Sequence, residues 1–291
     1  MRFLKQRNTR WSNTPSGGIM LGFIGAGAMG GAIVRGVIES GLYPASEIFV
    51  CGSSPERSIQ IATQLGVTSA PTATDLVDAV GDDGIVVIAV KPYAVGSVLD
   101  SVRESAIAHN TVIVSVAAGT TLETLASHLT PDQPIIRTMP NVNAAIGQSM
   151  TALCAGPAVS QAQFVAVEDV FHAVGEITRI TEKDFSTFSA LAGCSPAFTF
   201  EYIDAMARAG VRNGIPKAQA VKIAAQAVLG SAQMVLVGLE QGLTPASLAD
   251  SVQSPGGTTV AGVVALEEAG FSAAVVRGVQ ASVDRDVQMQ S

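Results

Sequence analysis

Between residues 20 and 181 the chain alternates short apolar runs with amphipathic stretches. Apolar runs at 20–25, 47–51, 85–90, 111–116 and 135–138 predict strands. The segments between them, at 28–40, 55–65, 75–80, 93–104 and 121–129, carry apolar positions at helical spacing. Gly41 and Gly66 stop the first two helices, where a left-handed residue is wanted. Strands that are apolar throughout and alternate with helices predict a parallel sheet covered on both faces. Two further segments, 149–153 and 175–180, read as edge strands around a helix at 162–173.

Beyond Thr181 the strand signal stops. Segments 185–212, 217–239, 245–252, 258–269 and 273–287 all read as helices, rich in Ala and Gly that let backbones approach closely. Segment 223–238 is apolar nearly all round, interrupted mainly by Gln226 and Gln233. Such a helix is normally buried on every side, and so few helices cannot bury it, so it predicts burial between subunits. The expected fold is an α/β Rossmann-like N-terminal domain with a mostly parallel sheet (20–180), followed by an all-α dimerisation domain (181–291). The boundary is placed at 181–184. Ahead of both lies a predicted disordered leader, 1–19. It carries Arg2, Lys5, Arg7 and Arg10 with no acid, and Met20 reads as the natural start. An organellar transit peptide is the other reading of such a basic segment.

Composition narrows the partners. A chain of 291 residues holds two domains with real cores. A net charge of −7 argues against a nucleic-acid partner. No uncharged apolar run has the length of a membrane span, so no membrane partner is expected. Cys51, Cys154 and Cys194 are too scattered for a disulfide framework or a metal site, which fits a reducing cytoplasm.

The chemistry begins at Gly25-Ala26-Gly27-Ala28-Met29-Gly30, a G-x-G-x-x-G that leaves a strand and enters a helix. The first glycine makes the tight turn, the second admits a pyrophosphate, and the third lets helix and strand pack closely. At the tip of the second strand, where an NAD site wants an acid for the ribose 2′-hydroxyl, the chain reads Cys51-Gly52-Ser53-Ser54-Pro55-Glu56-Arg57. Ser53, Ser54 and Arg57 can donate to a 2′-phosphate instead, which predicts NADPH as the cofactor, with NADH possible. Capping of the following helix by Ser53 or Ser54 is compatible with that role. Val90, Lys91 and Pro92 end one strand, and Ala117 and Ala118 end the next with side chains small enough to admit a nicotinamide. Lys91 reads equally well as a solvated surface lysine. Asn141, after the strand at 135–138, can hydrogen-bond the ring carboxamide or a substrate.

More than two hundred residues past the glycine turn stands Ser254-Pro255-Gly256-Gly257-Thr258-Thr259, a small-residue loop that opens a helix. Free amides at a helix N-terminus, with the dipole behind them, make a site for a small anion such as a carboxylate. Thr258 and Thr259 can cap that helix. A redox cofactor site and a carboxylate clamp in one chain suggest reduction of a small acid.

Several of these blocks occur in an order that resembles the pyrroline-5-carboxylate reductase family. They are Gly22 to Gly27, Ala89-Val90-Lys91-Pro92, Arg137-Thr138-Met139-Pro140-Asn141, Leu191 to Phe198, Asp204 to Val211, and Ser254 to Thr259. The resemblance spans about 20–287, and the Ser254–Thr259 block is its most specific part. It implies reduction of 1-pyrroline-5-carboxylate to L-proline with NAD(P)H, the last step of proline biosynthesis. It also implies a homodimer through interleaved C-terminal helices, in some members built into a decamer, with the 254–259 loop reaching the partner's cofactor. In that arrangement the amides of Gly256, Gly257 and Thr258 bind the imino-acid carboxylate. The Thr259 hydroxyl reaches the imine nitrogen, or the water that protonates it, and is the expected catalytic group. Cys194 and Phe198 replace a hydroxyl and a phenol often found in the family. Two rivals have weaker support. A β-hydroxyacid dehydrogenase wants a lysine on the first long helix of the C-terminal domain, and 185–206 contains none. A non-catalytic NADP sensor has no need of the threonines, while another cyclic-imine reductase fits the same groups.

Overall fold

The computed structural model describes residues 19–290, so the predicted leader lies outside the described residues. An eight-stranded sheet forms its centre, in the order β3-β2-β1-β4-β5-β6-β7-β8. The strands are β1 Leu21–Ile24, β2 Ile48–Cys51, β3 Thr68–Ser69, β4 Ile85–Ile88, β5 Val112–Ser115, β6 Ile135–Met139, β7 Ser149–Ala155 and β8 Gly175–Arg179. All pairings are parallel except β6 with β7. The connections run outward from β1 to β3, then jump back across β1 to β4. Beyond the carboxyl ends of β1 and β4 the strand order therefore reverses, and a crevice opens there.

Helices α1 Ala28–Ser40, α2 Pro55–Leu65, α3 Ala73–Val80, α4 Val95–Ala108, α5 Leu122–Ser127 and α6 Gln161–His172 cover the sheet. Alternation along each strand sends its side chains to opposite faces. In β4, Ile85 and Val87 join a core with Phe23, Ile33 and Phe171, whereas Val86 and Ile88 join a second core with Leu76, Leu99 and Leu125. Strand β3 was not expected: two polar residues at the sheet edge carry no apolar signal, and their pairing to Phe49 and Val50 alone defines them.

The remaining helices are α7 Phe185–Phe188, α8 Ser195–Arg212, α9 Lys217–Glu240, α10 Pro245–Ser251, α11 Thr258–Glu268 and α12 Phe271–Gln290. The single helix expected over 185–212 is divided by a π-helical stretch, Ser189–Cys194. Pro196 is the physical reason: it has no N–H to give the carbonyl of Ala192 four residues back. That carbonyl instead accepts a hydrogen bond from Asn141 Nδ2 at 2.9 Å.

Contacts divide the chain into two units, one reaching Gly193 and taking in the chain again from Val283, the other Cys194–Ser282. The division lies beyond 181–184 because the segment after Thr181 is tied to the sheet. Glu182 pairs with buried Arg137 at 2.6 Å, and the Arg137 guanidinium lies 4.0 Å over the Phe185 ring.

Within the helical unit, α9 leaves most of its apolar side chains uncovered; Met234 is 59% and Leu236 66% exposed. Against the expectation from uncharged runs, α9 is long and apolar enough to cross a membrane by length and composition, although Lys217, Lys222 and Glu240 interrupt it. Helices α11 and α12 pass the same test only as a pair bent by 52°.

Candidate active site

The glycine turn joins β1 to α1, and each glycine meets a different constraint. Gly25 has φ +88°, and a Cβ there would stand 2.6 Å from Val90 Cγ1. Its amide donates to Cys51 O at 2.8 Å, tying the turn to the end of β2. Gly27 is the N-cap of α1 with no side chain to satisfy the helix's first amides. A Cβ on Gly27 would meet nothing closer than Gly25 O at 3.9 Å, so the backbone is open to a ligand. Gly30 faces inward: its Cβ would stand 3.1 Å from Ala89 Cβ. The first amides of α1 have no carbonyl within the helix and, with the dipole behind them, favour an anion.

A cleft of about 820 Å³ opens over this turn, inside the roughly 300–1,000 Å³ range of small-ligand sites. Gly25, Gly27, Ala28 and Met29 line it from the turn; Ser53, Ser54 and Arg57 line it from the tip of β2. Val90, Lys91 and Pro92 follow β4, and Ala117 and Ala118 follow β5. Every predicted cofactor residue except Gly30 therefore borders one cleft. Thr72 and Ala73 also line it and were missed. Thr72 and Asp75 form a reciprocal capping box, a T-x-x-D signal that marks the helix start two residues before the predicted one.

The tip of β2 is held by local bonds. Gly52 N donates to Ser58 Oγ at 2.8 Å, and Ser58 Oγ donates to Ser54 O at 3.0 Å. Ser54 caps α2 by accepting from Arg57 N at 3.3 Å. Glu56, in the first helical turn, is held below the usual carboxylate range by its own backbone amide and then by the Ser54 hydroxyl. Ser54 is thus engaged on both sides, which leaves Ser53 and Arg57 freer to meet a ligand. Burial is the main cause that raises the Cys51 thiol, so it stays protonated and packs as a small apolar group.

Asn141 is buried and does not border the cleft. Its Oδ1 accepts from Asn143 N at 3.0 Å while Nδ2 holds Ala192 O. One amide hydrogen and one lone pair remain for any other partner. Arg137 was not singled out from sequence, although a charge within an apolar strand marks it. Glu182 Oε1 joins it to α5 by also accepting from Leu122 N at 2.9 Å.

In the second unit, the 254–259 loop has a sharper local geometry than expected. Gly256 takes φ +69°, and Gly257 N donates to Ser254 O at 2.9 Å, closing the turn. The cap of α11 is Gly257, with no side-chain bond, and Thr258 and Thr259 are the first two helical residues. This corrects both the capping role given to the threonines and the use of the Gly257 amide as a ligand donor. A Cβ on Gly257 would stand 2.4 Å from Ser254 Oγ, so a larger residue there would have to turn the Ser254 hydroxyl away. The first helical amides, from Thr258 onward, have no carbonyl within the helix.

Two family models match the chain: an F420-dependent NADP oxidoreductase model over residues 20–119, and a pyrroline-5-carboxylate reductase dimerisation model over 182–289. Fold and cleft thus define an oxidoreductase with an NADP-binding domain, followed by a helical region that implies a homodimer. The chain is 39% identical to the pyrroline-5-carboxylate reductase of Escherichia coli over 92% of its own length and 97% of that protein's. It superposes with TM-score 0.81 on the 1-pyrroline-5-carboxylate reductase of Streptococcus pyogenes, at 40% identity, covering 92% of this chain and 98% of that one. With the Plasmodium falciparum pyrroline carboxylate reductase solved with NADP bound, the TM-score is 0.82 at 28% identity, covering 94% and 98%. The chain belongs to the pyrroline-5-carboxylate reductase family.

Proposed function

We propose that this protein reduces 1-pyrroline-5-carboxylate to L-proline with NADPH, the last step of proline biosynthesis, as a cytoplasmic homodimer that can assemble further into a decamer. The observation that carries this reading is the occurrence, in one chain of this family, of an open glycine turn and a separate anion-receiving loop. The residues fit the cofactor: Gly27 leaves the space that a pyrophosphate needs, and the amides of Ala28 and Met29 face it without helical partners. Ser53 and Arg57 hold the 2′-phosphate, while Ala117 and Ala118 leave room for the nicotinamide. When bound, NADPH supplies a hydride to the imine carbon and is left as NADP+.

The protein's own work is orientation and charge. The amide of Thr258, with the α11 dipole behind it, receives the substrate carboxylate beside the backbone of Gly256. The Thr259 hydroxyl hydrogen-bonds the imine nitrogen, or the water that protonates it. A protonated imine accepts hydride more readily, so positioning supplies much of the acceleration. Each 254–259 loop serves the cleft of the partner subunit, so the dimer is the catalytic unit. The test is to follow NADPH absorbance with racemic pyrroline-5-carboxylate. Loss of absorbance matched by proline formation is expected, and no oxidation at saturating NADPH would overturn the assignment.

A further inference from the structure

A second polar groove lies beside the cofactor cleft, between α1 and α2. It has a volume of about 280 Å³ and is lined by Gly27, Ala28, Gly31 and Arg35 on one side and by Arg57 and Gln64 on the other. Ala28, Gly31 and Arg35 share a face because they fall three and four residues apart along α1. The Arg35 side chain folds back toward the start of its helix, as helical side chains do. Its Nη1 comes within 3.6 Å of where a Cβ on Gly31 would stand, so the guanidinium lies against the Gly31 turn of α1. Among the described residues Arg35 forms no ion pair, and the Arg57 guanidinium bonds only Gln60 Oε1, at 2.5 Å.

Two guanidiniums without carboxylate partners on one groove repel each other until an anion joins them. The groove shares Gly27, Ala28 and Arg57 with the cofactor cleft, which identifies the anion as part of the cofactor. We infer that Arg35 is a specificity-determining residue for NADPH, a second cation that faces Arg57 across the 2′-phosphate. This rests on the reading of the β2 tip as the 2′-phosphate end of the site. It explains how the chain can select a phosphate although Ser54 is already engaged by Arg57 N and Glu56.

Calorimetric titration of the full chain with 2′,5′-ADP and with 5′-ADP tests the inference without turnover. Arg35→Gln should weaken 2′,5′-ADP about three- to tenfold, a partly screened charge-assisted contact, and 5′-ADP less than about twofold. Arg35→Lys should recover part of the loss. Equal weakening of both fragments would assign Arg35 to the pyrophosphate or the scaffold and overturn the inference. No change in Arg35→Gln, with Arg57→Gln weakening 2′,5′-ADP alone, would also overturn it while sparing the β2 tip reading. A wild-type chain that does not distinguish the two fragments would sink both.

Discussion

The two units use similar apolar side chains in opposite ways. In the first, β4 is Ile-Val-Val-Ile and all four residues are buried within the chain itself. In the second, α9 is apolar along most of its length, yet Leu229, Met234, Leu236, Val237 and Leu239 are each more than half exposed. Composition does not separate these regions; what covers them does. A sheet with helices on both faces completes its own core, whereas a long apolar helix in a small helical unit needs a second chain. The nucleotide cleft accordingly depends on contacts inside one protomer, and the 254–259 loop, proposed to receive the substrate, sits in the dimerisation unit.

Substitutions should break one unit's task and spare the other's. The largest effect is expected from Leu236→Glu, which places a carboxylate in an apolar interface. Dimer affinity should fall by about a hundredfold or more. Light scattering should then report monomer, with imine reduction lost and NADPH binding kept; an unchanged dimer would mean that α9 is not the interface. Thr259→Ala comes next. Turnover should drop about ten- to hundredfold at unchanged NADPH affinity, since one transition-state donor is removed. A loss confined to cofactor affinity would contradict the role given to Thr259.

Ser53→Asp tests the first unit alone. A carboxylate at the tip of β2 repels a 2′-phosphate, so the preference for NADPH over NADH should fall about tenfold with the dimer intact. Asn141→Ala leaves Ala192 O and Asn143 N without their partner. It should cost about 1–3 kcal/mol, measured by urea unfolding. Smallest is a pH effect in the helical unit. Asp204 bonds Lys217 and pairs with Arg208, and the Lys217 hydrogen bond is the main cause that holds its carboxyl below the usual range. A depressed folded-state value means that its contribution is present above the unfolded value and fades as pH falls through the folded one. Wild-type stability should therefore lose slightly more than that of Asp204→Asn on acidification below the carboxylate range; parallel curves would deny Asp204 that role.

How far each feature could be read from sequence follows from how local its cause is. The glycine turn was legible because its three demands, positive φ at Gly25, open space for a ligand at Gly27 and close packing at Gly30, all fall within six residues of one strand-to-helix turn. The cleft followed from strand ends that the sheet order brings together. The π-helical stretch was not legible, since Pro196 accounts for half of it and the other half is Asn141, more than fifty residues away. The Arg137–Glu182 pair was hidden for the same reason. At the 254–259 loop sequence gave the right segment with the wrong cap: a threonine after two glycines suggests capping, but the turn closes one residue earlier, at Gly257.

A mixing experiment tests most directly whether one protomer's cleft is completed by the other's loop. Gly27→Val, which fills the pyrophosphate space, and Thr259→Ala are each purified, shown to be nearly inactive, then mixed under conditions that exchange subunits. If the loop acts in the partner, a mixed dimer carries one intact site, and activity should recover to about a quarter of wild type at full random exchange. If activity stays at the level of the separate variants after exchange is verified, each site is built within one chain and the account is wrong.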